Sequence, residues 1–491
     1  MEPEKKLPAK QLFLVCAVRF AEPVSFSIHV PFIYFMVRDF HLGKESDIGY
    51  YVSLITTAFA ISQVISAMPL GMISDRVGRR PMVLCGLAVG IISILFFGLS
   101  KTYTWALMTK ILSGLLDNNI AIIKSMVSEI SAGYSETQRA RAFSLLQVVF
   151  GLGSIVGAFL GGYLSEPVQK YPSLFNNAGQ LTDFLNEYPY FLPCFAAALI
   201  DTVCWIAGFL FLEETLVKKE ASDNETTRQE QENAPLLNDV DGESYSTFSG
   251  QEQQQQQQQE VKPKRPFSDV LTPAVITICA IYAMTAYQNV FYDELLPTWS
   301  ATERDTGGLG LNSSEIGTVL SIGGFVTLFV QFFLYHRLTE RLGTIRLFRT
   351  ALLLSIFVYA VQGCVRYLAD IPDLHGNSTK TWLFAGLMTE MALKTICQTI
   401  AMTGSIILIN NAAKRQDSLA TINALSQCCS SAMRALGPAT CGFIWSTTIA
   451  AVWLPFTVRA HLTWIILACI AVTTFLFSVK LKPEYYVSKA R

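Results

Sequence analysis

The residues of this sequence best placed to do chemistry are ionisable groups inside long apolar runs. Arg19 and Glu22 fall in the first run, Lys110, Asp117, Lys124 and Glu129 in the fourth, and Asp201 in the sixth. Asp293 and Glu294 fall in the seventh, Glu390 and Lys394 in the tenth, and Arg434 in the eleventh. In an apolar surround such groups are costly and serve ion pathways, proton relays or fixed pairs. Counting about 1.5 Å per residue from position 12 puts Arg19 about 10 Å deep and Glu22 about 15 Å deep. Lys110, Asp117 and Lys124 are spaced by seven and share one helix face. Asp117 enters from the opposite side and ends roughly 9 Å from the inner edge of a core about 30 Å thick, level with Arg19. The spacing predicts an Arg19–Asp117 pair beside a protonatable Glu22. Burial and a neighbouring cation pull a carboxyl's proton affinity in opposite directions, so Glu22 is suited to change protonation. The competing reading is a static ion pair that fixes helix packing. Lys124 and Glu129 fall near the inner surface, where snorkelling or salt bridging suits them.

In the second half, Glu390 and Lys394 stand one turn apart, which favours an intrahelical pair. Cavity lining is the alternative for Glu390, and Gln398 continues that face. Tyr282, Tyr287, Gln288 and Asn289 offer polar and aromatic substrate contacts, with helix packing as the plainer reading. Asp293 and Glu294 lie near the outer end of their run, which suits an exposed or gating role.

These groups need membrane-spanning helices to hold them. The chain has 491 residues, 51% hydrophobic and only 15% charged, against about 25% charged in an ordinary soluble protein. A span takes roughly 20 apolar residues, so twelve consume about 240. The first six runs cover 11–37, 48–73, 81–100, 103–130, 140–165 and 189–213. The second six cover 271–299, 315–338, 344–368, 380–410, 418–446 and 457–480. Between them, 214–267 is rich in Glu, Gln, Asn and Ser and carries a glutamine tract at 253–259. It has too little apolar surface to fold, and reads as a disordered linker. The expected architecture is an all-α polytopic membrane protein with a six-helix bundle at 1–213 and another at 268–491.

Lys and Arg crowd one set of loops, which places both termini and the linker in the cytosol. The sequons at Asn312 and Asn377 fall on the opposite side, where glycosylation occurs. Net charge is −1, with no basic excess to suggest nucleic acid. The cysteines sit mostly in apolar runs without metal-ligand spacing, so no metal site or cofactor is expected. The chain carries no nucleophile–base signature, HExxH or phosphate-cradling loop, and it reads as no enzyme.

The turn after the second run carries Gly71, Asp75, Arg76, Gly78, Arg79 and Arg80. Gly71 suits close helix approach. Asp75 can accept charge-assisted bonds and lies near the next helix's positive end. Such a cluster can latch one bundle to the other. This string resembles in full the loop signature of the major facilitator superfamily, and 335–343 looks like a degenerate copy. Phe32 through Phe40, Ile123 and Lys124 through Glu129, Tyr171-Pro172, Tyr188 through Pro193, and Glu213-Glu214-Thr215 are similar to the zinc-induced-facilitator-like group, and Glu294 through Trp299 and Arg434 through Pro438 look like its fungal members. That group resembles the twelve-span drug:proton antiporter branch.

The resemblance implies two six-helix bundles rocking about a midplane site, with proton-coupled antiport of a small solute or ion as the activity. Span five carries Gly153, Gly157, Gly161 and Gly162 at close-packing spacing. Ala158 stands where the branch has proline, which keeps a facilitator or proton symporter open. A non-transporting nutrient receptor on the same fold is the reading from another class. The expected partners are the solute, protons and the lipid bilayer, with the chain a monomer. Glu232, Leu236 and Leu237 fit an acidic dileucine signal for sorting adaptors, pointing to a vacuolar or lysosomal membrane; the plasma membrane is the alternative.

Overall fold

The computed structural model describes residues 8–116, 119–131, 134, 136–175, 179–216, 272–372, 380–412 and 416–481, with backbone alone at 136, 137, 139, 140, 416–421 and 424. Among the described residues the regular structure is helical. Among these same residues, ten helices are long and apolar enough to cross a membrane. In the first half they are span two (Glu45–Val77), span three (Arg79–Gly98), span four (Tyr103–Ile130), span five (Arg141–Leu164) and span six (Phe191–Phe211). In the second they are span seven (Pro273–Ala301), span eight (Ser313–Leu342), span nine (Thr344–Asp370), span ten (Thr381–Ala412) and span twelve (Phe456–Val479). Span one and span eleven (Gln416–Ala450) complete two six-helix bundles.

Span one is not the continuous 11–37 helix expected from its run. It ends at Ser27, passes through a turn and resumes as Ile33–Asp39. Pro31 explains the break: it has no N–H to donate and drives the residue before it away from helical geometry. Span eight loosens into a π turn at Val330–Leu334.

Packing sorts the apolar residues by solvent. Val24, Ile28, Phe32, Trp299, Trp445 and Trp464 are buried in a core that draws on both bundles. Phe325, Phe329, Leu199 and Val203 are exposed, as helices facing lipid require. The glycines of span five sit where other backbones come close. A Cβ on Gly157 would stand 2.5 Å from the Val24 carbonyl oxygen, and one on Gly153 2.5 Å from Pro23 Cγ, both on span one. One on Gly162 would meet the Ser313 carbonyl of span eight at 2.7 Å. Gly161 backs onto the Ile28 carbonyl. Span five is therefore wedged between span one of its own bundle and span eight of the other.

Candidate functional site

Arg19 and Glu22 meet as an ion pair one turn apart on span one, with side chains 4% and 18% exposed. The Arg19 guanidinium also lies 5.4 Å from the centre of the Phe150 ring on span five. Asp117, its expected partner, lies outside the described residues. Lys110 places Nζ 3.2 Å from His29 Nδ1 on span one and 4.5 Å from the Phe97 ring centre. Sequence reasoning missed His29: it set span one against span four through Arg19 and Asp117, but only the packing shows which residue of span one meets Lys110. It missed the Ser25 hydroxyl too, which donates to Asp201 Oδ2 at 2.5 Å across to span six. Lys124 is exposed, within electrostatic reach of Glu22, Arg19 and Arg434. Arg434 is itself exposed and donates to Ser431 at 3.0 Å.

The second bundle corrects the expected Glu390–Lys394 pair. Lys394 reaches span seven instead: its Nζ lies 2.5 Å from Asp293 Oδ1 and 4.3 Å from the Tyr292 ring centre. Lys394 is 2% exposed, whereas the Asp293 side chain is 53% exposed. Glu390 is buried, and its Oε1 has no hydrogen-bond partner among the described residues. An intrahelical pair is worth only a few tenths of a kcal/mol, so a better-placed acid on a neighbouring helix displaces it. The four residues expected to contact substrate on span seven pack between helices. The Tyr287 hydroxyl meets Thr440 at 2.7 Å, Gln288 donates to Thr474 at 2.5 Å, and Gln427 donates to Tyr282 at 3.5 Å. Asn289 is buried, with Nδ2 unpartnered among the described residues.

The arginine-rich turn holds its own bundle together. Arg79 bonds Asp75 at 2.6 Å and Glu129 at 3.1 Å, and donates to Ser74 at 3.2 Å. Arg80 donates to the Phe209 carbonyl at 2.6 Å. Arg76 is exposed. The anion at the start of span three is Glu214, not Asp75: its carboxylate accepts from the amides of Arg79 at 2.8 Å and Arg80 at 3.1 Å. Burial works against the charged form, yet amides from Leu216, Arg79, Arg80 and Thr215 hold the Glu214 carboxyl below the usual glutamate range. Gly78 adopts φ +122°, a conformation that favours glycine. Gly71 is corrected too: a Cβ there would meet nothing within 4 Å, so it permits no close approach.

The hydrogen bonds joining the bundles cluster at the face away from the linker. Ser53 and Thr56 of span two donate to Glu294 Oε1 of span seven at 3.0 and 3.3 Å. The Tyr50 amide donates to Ser446 at 2.9 Å, and Tyr163 meets Thr318 at 3.1 Å. Ser165 donates to Ser313 at 2.8 Å. Lys170 donates to Gly162 O, Ser165 Oγ and Ser313 Oγ at 2.7, 2.9 and 2.6 Å. Burial pulls the Lys170 amine down to about 8, partly countered by Glu166. Asn312 caps span eight, its side chain accepting from the Glu315 amide at 2.9 Å. Asn377, Glu232, Leu236 and Leu237 lie outside the described residues.

Two six-helix bundles sealed at one face around intramembrane charges define a multi-pass membrane transporter. The sequence profile of the Major Facilitator Superfamily matches residues 15–438, and the chain belongs to that family. It is similar to the Aspergillus fumigatus major facilitator superfamily multidrug transporter mfsB, 28% identical over 89% of this chain and 79% of that one. It is equally similar, at 28%, to Protein ZINC INDUCED FACILITATOR-LIKE 1 of Arabidopsis thaliana, over 89% and 84% of the two chains. Among solved structures, the fold matches a bacterial homologue of the human lysosomal transporter Spinster in an inward-facing, occupied conformation. The TM-score is 0.68 at 13% identity, over 99% of this chain and 100% of that one. It also matches a D-xylose-proton symporter, with TM-score 0.67 at 11% identity, over 98% and 99%. These relatives and neighbours are transporters, not enzymes.

Proposed function

We propose that this transporter exports a small solute by proton-coupled antiport, alternating access between the two faces. The observation that carries the reading is the pair of buried Arg19 and half-buried Glu22 on span one, beside the exposed Lys124. Glu22 is the proton carrier: with its proton gone it pairs with Arg19, and with its proton on it releases that charge, so the two states favour different bundle arrangements. Arg19 and Lys124 set the field around it, and Lys110, Asp117 and Arg434 are proposed as further cavity charges. The linker face is cytosolic by its Lys and Arg content, and the seal therefore faces outward or into a lumen. The multidrug name of one relative supports export. Ala158, in place of the branch's proline, favours a second reading as facilitator or proton symporter. The acidic dileucine at Glu232, Leu236 and Leu237 supports delivery to a vacuolar or lysosomal membrane.

The test is reconstitution into liposomes with an imposed pH gradient and a panel of labelled solutes. Antiport predicts solute movement opposite to the proton gradient, abolished when the gradient is collapsed and uncoupled in Glu22→Gln. Transport unaffected by collapse, or wild-type coupling in Glu22→Gln, refutes it.

A further inference from the structure

The Lys394–Asp293 contact has the composition of an ammonium receptor with its ligand already tethered. A carboxylate at 2.5 Å and an aromatic face at 4.3 Å are the two groups that hold a cationic nitrogen. Asp293 keeps half of its side chain exposed while the lysine behind it is buried. An arriving cation thus meets the acid before it meets the base. Glu390, one turn before Lys394 on the same helix, carries a buried carboxylate oxygen with no hydrogen-bond partner among the described residues. Asp293 follows Tyr292 in the chain, and Glu390 lies within electrostatic reach of the same ring. A buried polar atom without a partner is expensive and calls for one. Glutamate four residues before lysine is the better-oriented helical pair.

We propose that Asp293 and the Tyr292 ring form a seat for the ammonium group of an organic cation, and that Lys394 fills the seat until substrate arrives and then swings to Glu390. At Asp293 one cation replaces another, the lysine satisfies the waiting carboxylate, and the site as a whole gains the single positive charge of the ligand. No bond is made or broken. The inference deepens the proposed function by naming a substrate class, and rests on it only in taking the space beside Asp293 as the solute site.

The test is equilibrium binding of phenethylammonium to the full-length protein by calorimetry, with no pH gradient present. Neutral phenylethanol and anionic phenylpropionate are the controls. Lys394→Met, which removes the tethered competitor, is expected to bind phenethylammonium about tenfold more tightly, and Asp293→Asn about tenfold more weakly. Glu390→Gln denies the lysine its second home and is expected to weaken binding several-fold. In the Lys394→Met background Glu390→Gln should have no effect. Lys394→Met binding no better than wild type, or Glu390→Gln unchanged, overturns the proposal. Preference for phenylpropionate that vanishes in Lys394→Met makes Lys394 an anion receptor and overturns it equally. Binding is read without a gradient, so failure here leaves antiport standing, and failure of coupling leaves the seat standing.

Discussion

Replacing Glu294 by glutamine tests the seal between the bundles with little change of shape. In the structure the Glu294 carboxylate accepts from Ser53 at 3.0 Å and Thr56 at 3.3 Å. A hydrogen bond to a charged group contributes about 1.5–3 kcal/mol, and one between neutral groups about 0.5–1.5. The substitution therefore loses roughly 1 kcal/mol at the shorter bond, and about half that at the longer, where Thr56 also has the Val52 carbonyl at 3.4 Å. The total, about 1.5 kcal/mol, shifts the balance between sealed and open arrangements about tenfold toward open. Hydrogen–deuterium exchange reads this directly in peptides covering 48–57 and 440–450, which include the Tyr50 amide bonded to Ser446. Exchange there should quicken about tenfold, while the ends of the same helices near the linker keep wild-type rates. Unchanged exchange at the seal refutes the reasoning. So does equal acceleration at both ends, which would mean general loss of stability.

Gly157→Ala places a methyl 2.5 Å from the Val24 carbonyl and 3.0 Å from Ser27 Cβ, and should lower stability by about 1–3 kcal/mol in thermal melts of purified protein. Gly71→Ala, with nothing within 4 Å, should instead leave the melt unchanged or raise stability by up to about 1 kcal/mol through helix propensity. Glu214→Ala removes the anion at the start of span three and should cost about 1 kcal/mol at neutral pH. Because its folded carboxyl is held below the unfolded value of about 4.3, that contribution is complete above this pH. It fades as pH falls through the lower folded value, so wild type and variant should converge in acid. Lys170 works in the opposite window. Its amine is held at about 8 in the sealed state, against 10.5 in water, so the open state binds more protons between those values. Raising pH through that window should favour sealing, and spectroscopic distances between the ends of spans five and eight should show it in wild type but not in Lys170→Met.

Much of the scaffold was legible because its causes are local. Apolar run length sets the spans, and Gly153, Gly157 and Gly161 at intervals of four set the face that span five turns to span one, with Gly162 beside them turned to span eight. The break in span one was legible in principle from Pro31, though the apolar run hides it. The site was less legible because its partners come from distant helices. Spacing alone offers Lys394 its neighbour Glu390, and only the packing of span ten on span seven supplies Asp293. Glu214 and Glu294 each lay in a string that carried the family resemblance, but that likeness did not reveal which amides or hydroxyls they would meet. Gly71 shows the reverse error: a motif glycine need not have a close neighbour.

The seal's chemistry has a further consequence. Most of its donors and acceptors are short hydroxyls: Ser53, Thr56, Ser165, Ser313, Thr318 and Ser446. Apart from the two bonds to the Glu294 carboxylate, a hydroxyl released from such a contact exchanges a neutral partner for water at a net cost of only about 0.5–1.5 kcal/mol. Opening is then chiefly a hydration reaction, in which water molecules are taken up as stoichiometric participants. Its equilibrium depends on water activity, and an excluded osmolyte such as sucrose draws the transporter toward its sealed form.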